Sequence, residues 1–250
     1  MSLITARAVL LRSFPYGESS RVLRFFTDRH GLVGVMAKGA RRPRSSAGGL
    51  DLFAEGSLSF YHKDTRDLQT LKEFGASKDR RGLGADPRRL AAASVVAELV
   101  LRHAGEADGG GLFDAVSGAL DAFACAPADE VGGVLLREGW GLVSELGYHP
   151  DLDRCVACGR GLTGEEVARM DFAQGGLRCA GCSGSHAGPR VGPGARAQLA
   201  SLLEGTIPAP LTRPRAHLQL LSDFVTYHLA GARPLEAFRV LASLLPADDA

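Results

Sequence analysis

The first 75 residues alternate between apolar and polar positions in short runs, a pattern typical of β-strands. In residues 3–12, small and aliphatic side chains occupy every second position, with Thr5 and Arg7 between them. Turn-forming residues at 15–17 then separate this run from the next. Similar runs predict four further strands, at residues 21–27, 32–37, 50–61 and 67–74.

Five short strands with the longest connection after the third predict a small closed barrel of the OB type. The strands and loops of such barrels bind oligonucleotides. An SH3-like barrel uses strands of similar length, so the pattern alone leaves it open as an alternative.

From Pro87 onward the apolar residues recur at intervals of three and four, which predicts helices. Pro87 itself suits the first turn of a helix, where no hydrogen-bonding N–H is needed. The region 150–193, rich in glycine and poor in large apolar side chains, shows neither periodicity. The predicted helices cover residues 87–104, 112–124, 131–146, 194–203, 213–229 and 237–244.

Charge divides the chain into two unequal parts. The net charge is only +1, with 29 Lys+Arg against 28 Asp+Glu. Residues 1–81 contain 15 basic and 8 acidic residues, a net +7, which leaves 14 and 20, a net −6, for residues 82–250. A basic barrel joined to an acidic helical part predicts that the barrel binds a polyanion and that the other part has a different partner.

The basic charge is densest in the connection after the third predicted strand. Residues 37–46 contain four cations, and no acidic residue occurs between Asp28 and Asp51. An isolated cluster of this kind is often only a solvated charge run. On a basic barrel, phosphate contact is the better interpretation, and two arginines of the second strand would extend the track. The predicted nucleic-acid-binding residues are Lys38, Arg41, Arg42, Arg44, Arg21 and Arg24.

Four of the five cysteines form two Cys-x-x-Cys pairs separated by 20 residues, a spacing close to that of four-cysteine zinc sites. Cys155 and Cys158 form the first pair, and Cys179 and Cys182 the second. Four thiolates complete a tetrahedron, so we expect one structural zinc ion rather than a catalytic one. The metal would supply much of the local folding free energy of a segment with so few apolar residues.

The fold class predicted is α+β: an N-terminal five-stranded OB-fold barrel followed by an all-α domain that carries a four-cysteine zinc finger. We expect the barrel to be the DNA-binding domain. The predicted divisions are residues 1–80 for the barrel, 81–149 and 194–250 for the two parts of the helical domain, and 150–193 for the zinc-binding insert.

The sequence contains no phosphate-binding loop, nucleophile elbow or metalloprotease motif, so we expect neither catalysis nor a small-molecule substrate. The N-terminal residues have no signal-peptide pattern, and no run of about 18 apolar residues occurs, which predicts a cytoplasmic protein without a membrane partner. Two other classes fit part of the pattern: a zinc-ribbon transcription or translation factor that binds nucleic acid, and a zinc-dependent nucleic-acid enzyme.

Four motifs in the chain are specific enough to compare with a known family. They are Pro-Tyr-Gly-Glu-Ser-Ser-Arg at 15–21, Phe-Thr-Asp-Arg-His-Gly at 26–31, Ala-Lys-Gly-Ala-Arg-Arg-Pro-Arg-Ser at 37–45, and Glu-Leu-Gly-Tyr-His-Pro-Asp-Leu at 145–152. In this order they resemble the motifs of the RecO family of bacterial recombination mediators. The last motif runs into the first cysteine pair, and the resemblance extends over most of the chain.

This resemblance implies binding to single- and double-stranded DNA without sequence specificity, strand annealing, and a mediator role in DNA repair and homologous recombination. It implies cooperation with RecR, which helps to load recombinase on single strands, and with the single-stranded-DNA-binding protein. The C-terminal tail of that protein would dock in an apolar pocket with a basic rim in the helical domain. The implied location is cytoplasmic and nucleoid-associated.

Overall fold

The computed structural model describes residues 2–40, 50–104, 110–184, 188–229, 231 and 233–248. The chain divides into two compact units, Met1–Cys125 and Ala126–Ala250. Within the described ranges, no helix has both the length and the apolar character that a membrane span requires. The division into four segments that the sequence predicts stays a prediction.

The first unit is a closed barrel of five strands, in the order β1-β2-β3-β5-β4, followed by helices. β3 pairs with β5 in parallel, whereas the other pairs are antiparallel. The structure therefore confirms the five-stranded OB-like barrel. Its elements are β1 Ser2–Tyr16, β2 Ser20–Thr27, β3 Gly31–Ala37, β4 Glu55–His62, β5 Leu68–Lys78, a short 3₁₀ helix Arg81–Ala85, α1 Pro87–His103 and α2 Gly111–Cys125.

β1 is longer than the sequence predicted. We expected it to end near residue 12 and the chain to turn at residues 15–17, but Pro15 and Tyr16 pair with β2. The turn falls beyond Tyr16, where Gly17 has a φ of 57°, a conformation that glycine adopts without steric strain. Cross-strand hydrogen bonding thus extended the strand through a proline at which the sequence suggested a break.

A β-bulge near the middle of β1 changes which side chains face the barrel interior. Leu10 pairs with Phe25, but Arg12 pairs with Arg24, so the register shifts by one residue between them. Before the shift the even-numbered residues of β1 point inward; after it they point outward, because a slip of one residue exchanges the two faces of a strand. The interior is filled by Ala8, Leu10, Leu23, Phe25, Val33, Val35, Ala37, Leu58 and Phe60.

A buried ionic cluster joins the barrel to α2. Arg80, whose side chain is 2% exposed, donates to Glu55 at 2.8 Å and to Asp121 at 2.6 Å. Arg80 also donates to the backbone oxygens of Phe53 and Ser117. Burial opposes the charged form of Glu55, but hydrogen bonds from the Ser117 hydroxyl and Arg80 outweigh it and lower the pKa of Glu55 to about 2.

The second unit combines helices with a small four-stranded sheet of order β6-β8-β7-β9. In its helical core Trp140 lies edge-on to Phe224, with ring centroids 5.2 Å apart, and Gly139 leaves room for Leu221. The sheet lies in the segment for which the sequence predicted no regular element. The elements are α3 Val131–Glu145, β6 Asp151–Cys155, β7 Ala168–Asp171, β8 Gly176–Arg178, α4 Ala180–Ser183, β9 Arg190–Val191, α5 Pro193–Leu203, α6 Pro214–His228 and α7 Glu236–Leu244.

Candidate nucleic-acid surface and metal centre

The cations predicted to bind nucleic acid occupy different places on the barrel. Lys38 directly follows β3 and is exposed. Arg41, Arg42 and Arg44 lie outside the described residues. Three of the six predicted positions can therefore be located, and the DNA-binding role of all six stays a prediction.

Arg21 and Arg24 belong to opposite faces of β2. Arg24 is exposed on the outside of the barrel, and its guanidinium extends over Gly34, where an added Cβ would meet Nη1 at 2.8 Å. Arg21 points to the other side and donates through Nε to the hydroxyl of Ser13 at 2.8 Å. Side chains alternate between the two faces of a strand, and Arg21 and Arg24 are three positions apart. The two arginines therefore point to opposite faces and do not form one continuous row.

The β1 bulge brings three further side chains to the outer face, beside Arg24. Cross-strand pairing sets Arg12 against Arg24 and Tyr16 against Ser20. Phe14 and Tyr16 are 40% and 58% exposed. We call Arg12, Phe14, Tyr16, Arg24 and Lys38 the outer patch.

The sequence offers four aromatic candidates for base stacking in the barrel: Tyr16, Phe25, Phe53 and Tyr61. In the structure Tyr16 is exposed, Phe25 and Phe53 are buried, and Tyr61 is half-buried. Sequence reasoning did not consider Arg12 and Phe14. No local signal identifies Arg12 and Phe14, because a regular alternation continued from Leu10 would turn both inward.

The base of the outer patch contains a cavity of about 440 Å³. Tyr16 and Lys38 both line it, together with Met36 of β3. None of the patch cations forms an ion pair with an acidic side chain in the part of the chain that the structure describes. Their charges are therefore available to an anionic ligand.

The half of this outer face around Phe26, which we call the lower half, is covered by α2. There Phe26 contacts Phe113 of α2, with ring centroids 6.0 Å apart, and the Arg7 guanidinium lies 4.9 Å from the Phe113 ring centroid. The outer surface of β1 and β2 thus has a half packed against α2 and a half that carries the outer patch.

The four cysteines of the two Cys-x-x-Cys pairs converge on one point. The sulfur atoms of Cys155, Cys158, Cys179 and Cys182 all lie within 4.8 Å of one another. The first pair begins at Cys155, the last residue of β6, and in the loop that follows Gly159 has a φ of 75° and donates its N–H to the Cys155 carbonyl oxygen at 2.8 Å. The arrangement fits a tetrahedral metal site with four sulfur ligands, as the spacing predicted.

Backbone donors around the cysteine cluster favour a thiolate at its buried end. Burial opposes ionisation of Cys155, but the N–H groups of Cys179, Cys158 and Ala157 lower its pKa to about 6. Hydrogen bonds with the sulfur atoms of Cys179 and Cys158 raise the pKa of Cys182 to about 12. Since neighbouring thiols resist simultaneous ionisation, a cation that binds all four would have to compensate their charge.

An ion pair links the two cysteine loops. Arg160, next to the first loop, pairs with Glu166, whose carboxylate also accepts the Ala180 N–H of the second loop at 2.8 Å. The hydrogen bond from Arg160 lowers the pKa of Glu166, and a hydrogen bond and charge interaction also connect Arg160 with Cys179. The loops are thus held together by contacts beyond those of the sulfur atoms.

An OB-like barrel joined to a helical unit that contains a four-cysteine cluster defines a class of proteins that combine a barrel of the oligonucleotide-binding type with a candidate metal site. Comparison with known families specifies it further. A family model described as "Recombination protein O N terminal" matches residues 1–78, and one described as "Recombination protein O C terminal" matches residues 84–236. The chain belongs to the RecO family, which supports a role in DNA repair and recombination.

Curated relatives match this chain over its full length or over parts of it. A DNA repair protein RecO of Anaeromyxobacter dehalogenans is 34% identical over 260 residues, which cover 98% of each chain. A relative of the same name from Rubrobacter xylanophilus is 34% identical over 185 residues, 73% of this chain and 72% of the relative. A third, from Salinibacter ruber, reaches 52% identity over 73 residues, 29% of this chain and 28% of the relative.

Proposed function

We propose that this protein binds single- and double-stranded DNA without sequence specificity and promotes annealing of complementary strands. In this proposal it acts with RecR to help load recombinase on single strands during repair and recombination. The observation that carries the proposal is that three outer-patch cations, Arg12, Arg24 and Lys38, lie on an OB-like barrel and have no ion-pair partner among the acidic residues that the structure describes.

Phosphate contacts explain both the lack of sequence specificity and a strong dependence on salt. Each Lys or Arg that neutralises a phosphate releases a counterion, so the binding constant falls as salt rises. Contacts of this kind are the same whatever the base sequence. A barrel segment of net charge +7 supplies such contacts, whereas the remainder of the chain, at −6, does not over its whole surface.

Annealing requires that two polyanions approach each other. A basic surface that contacts both backbones lowers their repulsion and leaves base edges free to pair. In this proposal Arg41, Arg42 and Arg44 continue the contacts made by Lys38, because they follow it directly in the sequence.

One structural zinc ion at Cys155, Cys158, Cys179 and Cys182 is part of the proposal. Four thiolate ligands suit Zn²⁺ and leave no coordination position open for water. The ion would hold together the strands β6–β9 and the two cysteine loops, which we call the finger, and would take no part in a reaction.

For the C-terminal tail of the single-stranded-DNA-binding protein we propose a groove between α6 and α7. The groove encloses about 270 Å³, and Leu218 and Phe238 form part of its apolar wall. Arg215 and Arg239 lie at the same groove and supply a basic rim. Capture of the tail by the barrel alone would contradict this assignment.

The decisive experiment is annealing of complementary strands that are coated with the single-stranded-DNA-binding protein, measured with and without this chain. Adding the chain should accelerate annealing, and the acceleration should decline as salt rises. Equal annealing rates in the two samples would contradict the proposed function.

A triple variant tests the phosphate contacts of the connection after β3. Replacing Arg41, Arg42 and Arg44 by Ala should weaken binding to a single strand and reduce the slope of log K against log salt by about two units. The matched control replaces the exposed Arg29, Arg66 and Arg81 by Ala, which removes the same charge elsewhere in the first unit. Unchanged binding by the first variant at both low and moderate salt would contradict the assignment.

A further inference from the structure

We propose that the outer patch is a base-stacking subsite for unpaired nucleic acid, in which Phe14 and Tyr16 contact bases and Arg12, Arg24 and Lys38 contact the flanking phosphates. This inference rests on the proposed function and deepens it. Phosphate contacts alone bind paired and unpaired strands alike, whereas a stacking subsite distinguishes them.

The exposure of the two aromatic side chains is what needs an explanation. Phe14 and Tyr16 are 40% and 58% exposed, although burying a large aromatic side chain stabilises a fold. The β1 bulge is the cause, because it turns both residues to the outer face, and bulges often redirect a side chain next to a binding site. α2 covers Phe26 on the lower half of this face, but nothing described covers Phe14 and Tyr16 to the same degree.

The geometry suits a strand of nucleotides. Side chains two positions apart on a β-strand are separated by about 6.6 Å, so Phe14 and Tyr16 can each present a ring to a separate base. Arg12 and Arg24 lie beside each other at one end of the pair, and Lys38 lies at the other end, in the same cavity as Tyr16. Phosphates on either side of two stacked bases therefore meet positive charge.

Charge favours nucleic acid over an apolar protein segment as the occupant. The patch contains three cations without an acidic ion-pair partner among the described residues, and its segment of the chain has a net charge of +7. The acidic residue Glu18 lies in the turn beyond the strand end and is exposed. Aromatic rings set among cations are the arrangement that binds unpaired strands with little sequence preference.

The subsite should select unpaired strands because the faces of paired bases are already stacked within a duplex. A duplex can still reach the cations, so its binding should depend on charge alone. Single strands gain the additional stacking contacts, each of which strengthens binding by about tenfold.

The experiment compares an oligonucleotide with a strand of equal length that lacks its bases, and with a duplex, in binding to the full chain. Three variants are measured beside the wild type: F14A/Y16A, F14L/Y16L and L3A. The leucine pair keeps apolar packing against β2 but removes the rings. Leu3 is an exposed apolar residue near the opposite end of β1, so L3A is the matched control. Thermal unfolding of each variant tests whether the fold is retained.

The wild type and L3A should bind the intact strand at least tenfold more tightly than the strand without bases. In both double variants this preference should disappear, while binding to the duplex and to the strand without bases stays within about twofold of the wild type. Equal binding of both strands by the wild type would overturn the subsite but not the proposed function, as would an undiminished preference in the double variants. Failure of the wild type to bind any of the three would overturn both.

Discussion

The barrel and the finger reach a defined structure by different means. The barrel encloses a continuous core that includes Leu10, Phe25 and Phe60, and its strands close on themselves. The finger has strands of two to five residues, and its two loops meet at four sulfur atoms. The barrel folds by burying apolar surface, whereas the finger would depend on the proposed zinc ion to cross-link its two loops.

This difference predicts which of the two regions each perturbation should destabilise. Metal removal should affect the finger and spare the barrel, and loss of a buried charge should do the reverse. DNA affinity, if it resides in the barrel, should follow the barrel alone. The experiments below test this separation, from the largest expected effect to the smallest.

If the four cysteines hold the proposed zinc ion, its removal should have the largest effect. Binding of structural zinc supplies about 10–16 kcal/mol in zinc-finger peptides, so a chelator or the C155S/C179S variant should unfold the finger. Hydrogen exchange should then show lost protection in residues 150–193 only. The control is C125S, since Cys125 is exposed and outside the sulfur cluster.

The same samples decide between two classes of protein. If the barrel binds DNA, the metal-free protein should keep its affinity for single strands. Loss of binding together with the metal would instead favour a zinc-ribbon factor, in which the finger contacts nucleic acid.

Breaking the buried ionic cluster of Arg80 and Glu55 should have the second-largest effect. The R80A variant leaves Glu55 buried without its main ionic partner, which should lower the free energy of unfolding of the barrel by about 3–5 kcal/mol. Denaturant unfolding measures the change. The neighbouring R81A variant removes an exposed arginine and should change stability by less than about 1 kcal/mol. An R80A barrel as stable as the wild type would show that the cluster contributes little.

Acid should lower the free energy of unfolding of the barrel, because Glu55 is ionised in the folded state and becomes protonated at low pH. The folded state holds the pKa of Glu55 at about 2, below its ordinary value of 4.5. The resulting stabilisation is complete above pH 4.5 and is lost as the pH falls toward 2, when the folded state must protonate this group. We expect a loss of about 2 kcal/mol across this range. An E55Q variant should show a smaller decline over the same range than the wild type.

The smallest effect compares single cations on the two faces of β2. R24A removes a charge from the outer patch and should reduce the salt slope for single-strand binding by about 0.7. R21A removes an arginine hydrogen-bonded to Ser13 on the opposite face and should change the slope by less. A larger effect for R21A would place the DNA track on the rim of the barrel rather than on its outer face.

Much of the fold followed from local patterns. The predicted helix at 87–104 corresponds to α1, Pro87–His103, because the i, i+3, i+4 spacing and the N-terminal proline are both local signals. The clustering of the four cysteines was equally predictable, since each Cys-x-x-Cys pair is a single turn. The sheet in the finger was not predicted because its strands are too short to show an alternation.

The candidate nucleic-acid surface was only partly predictable. Charge counting made the barrel and Lys38 candidates, and the position on the second strand made Arg24 a candidate; their DNA-binding role stays a prediction. Charge counting also grouped Arg21 with Arg24, although strand geometry directs them to opposite faces. Arg12 and Phe14 were missed because their outward direction depends on the bulge, which is a property of the β1–β2 pairing.

By itself, then, the sequence determined the number and order of the main strands and helices, the basic character of the barrel and which four cysteines cluster. These properties depend on spacing and composition within short stretches. The tertiary structure alone decided that Arg12, Phe14 and Tyr16 face outward beside Arg24, and that Glu55 and Arg80 meet in the interior. The physical reason is that register and burial are set by partners distant in sequence, and a shift of one residue reverses the faces of a strand.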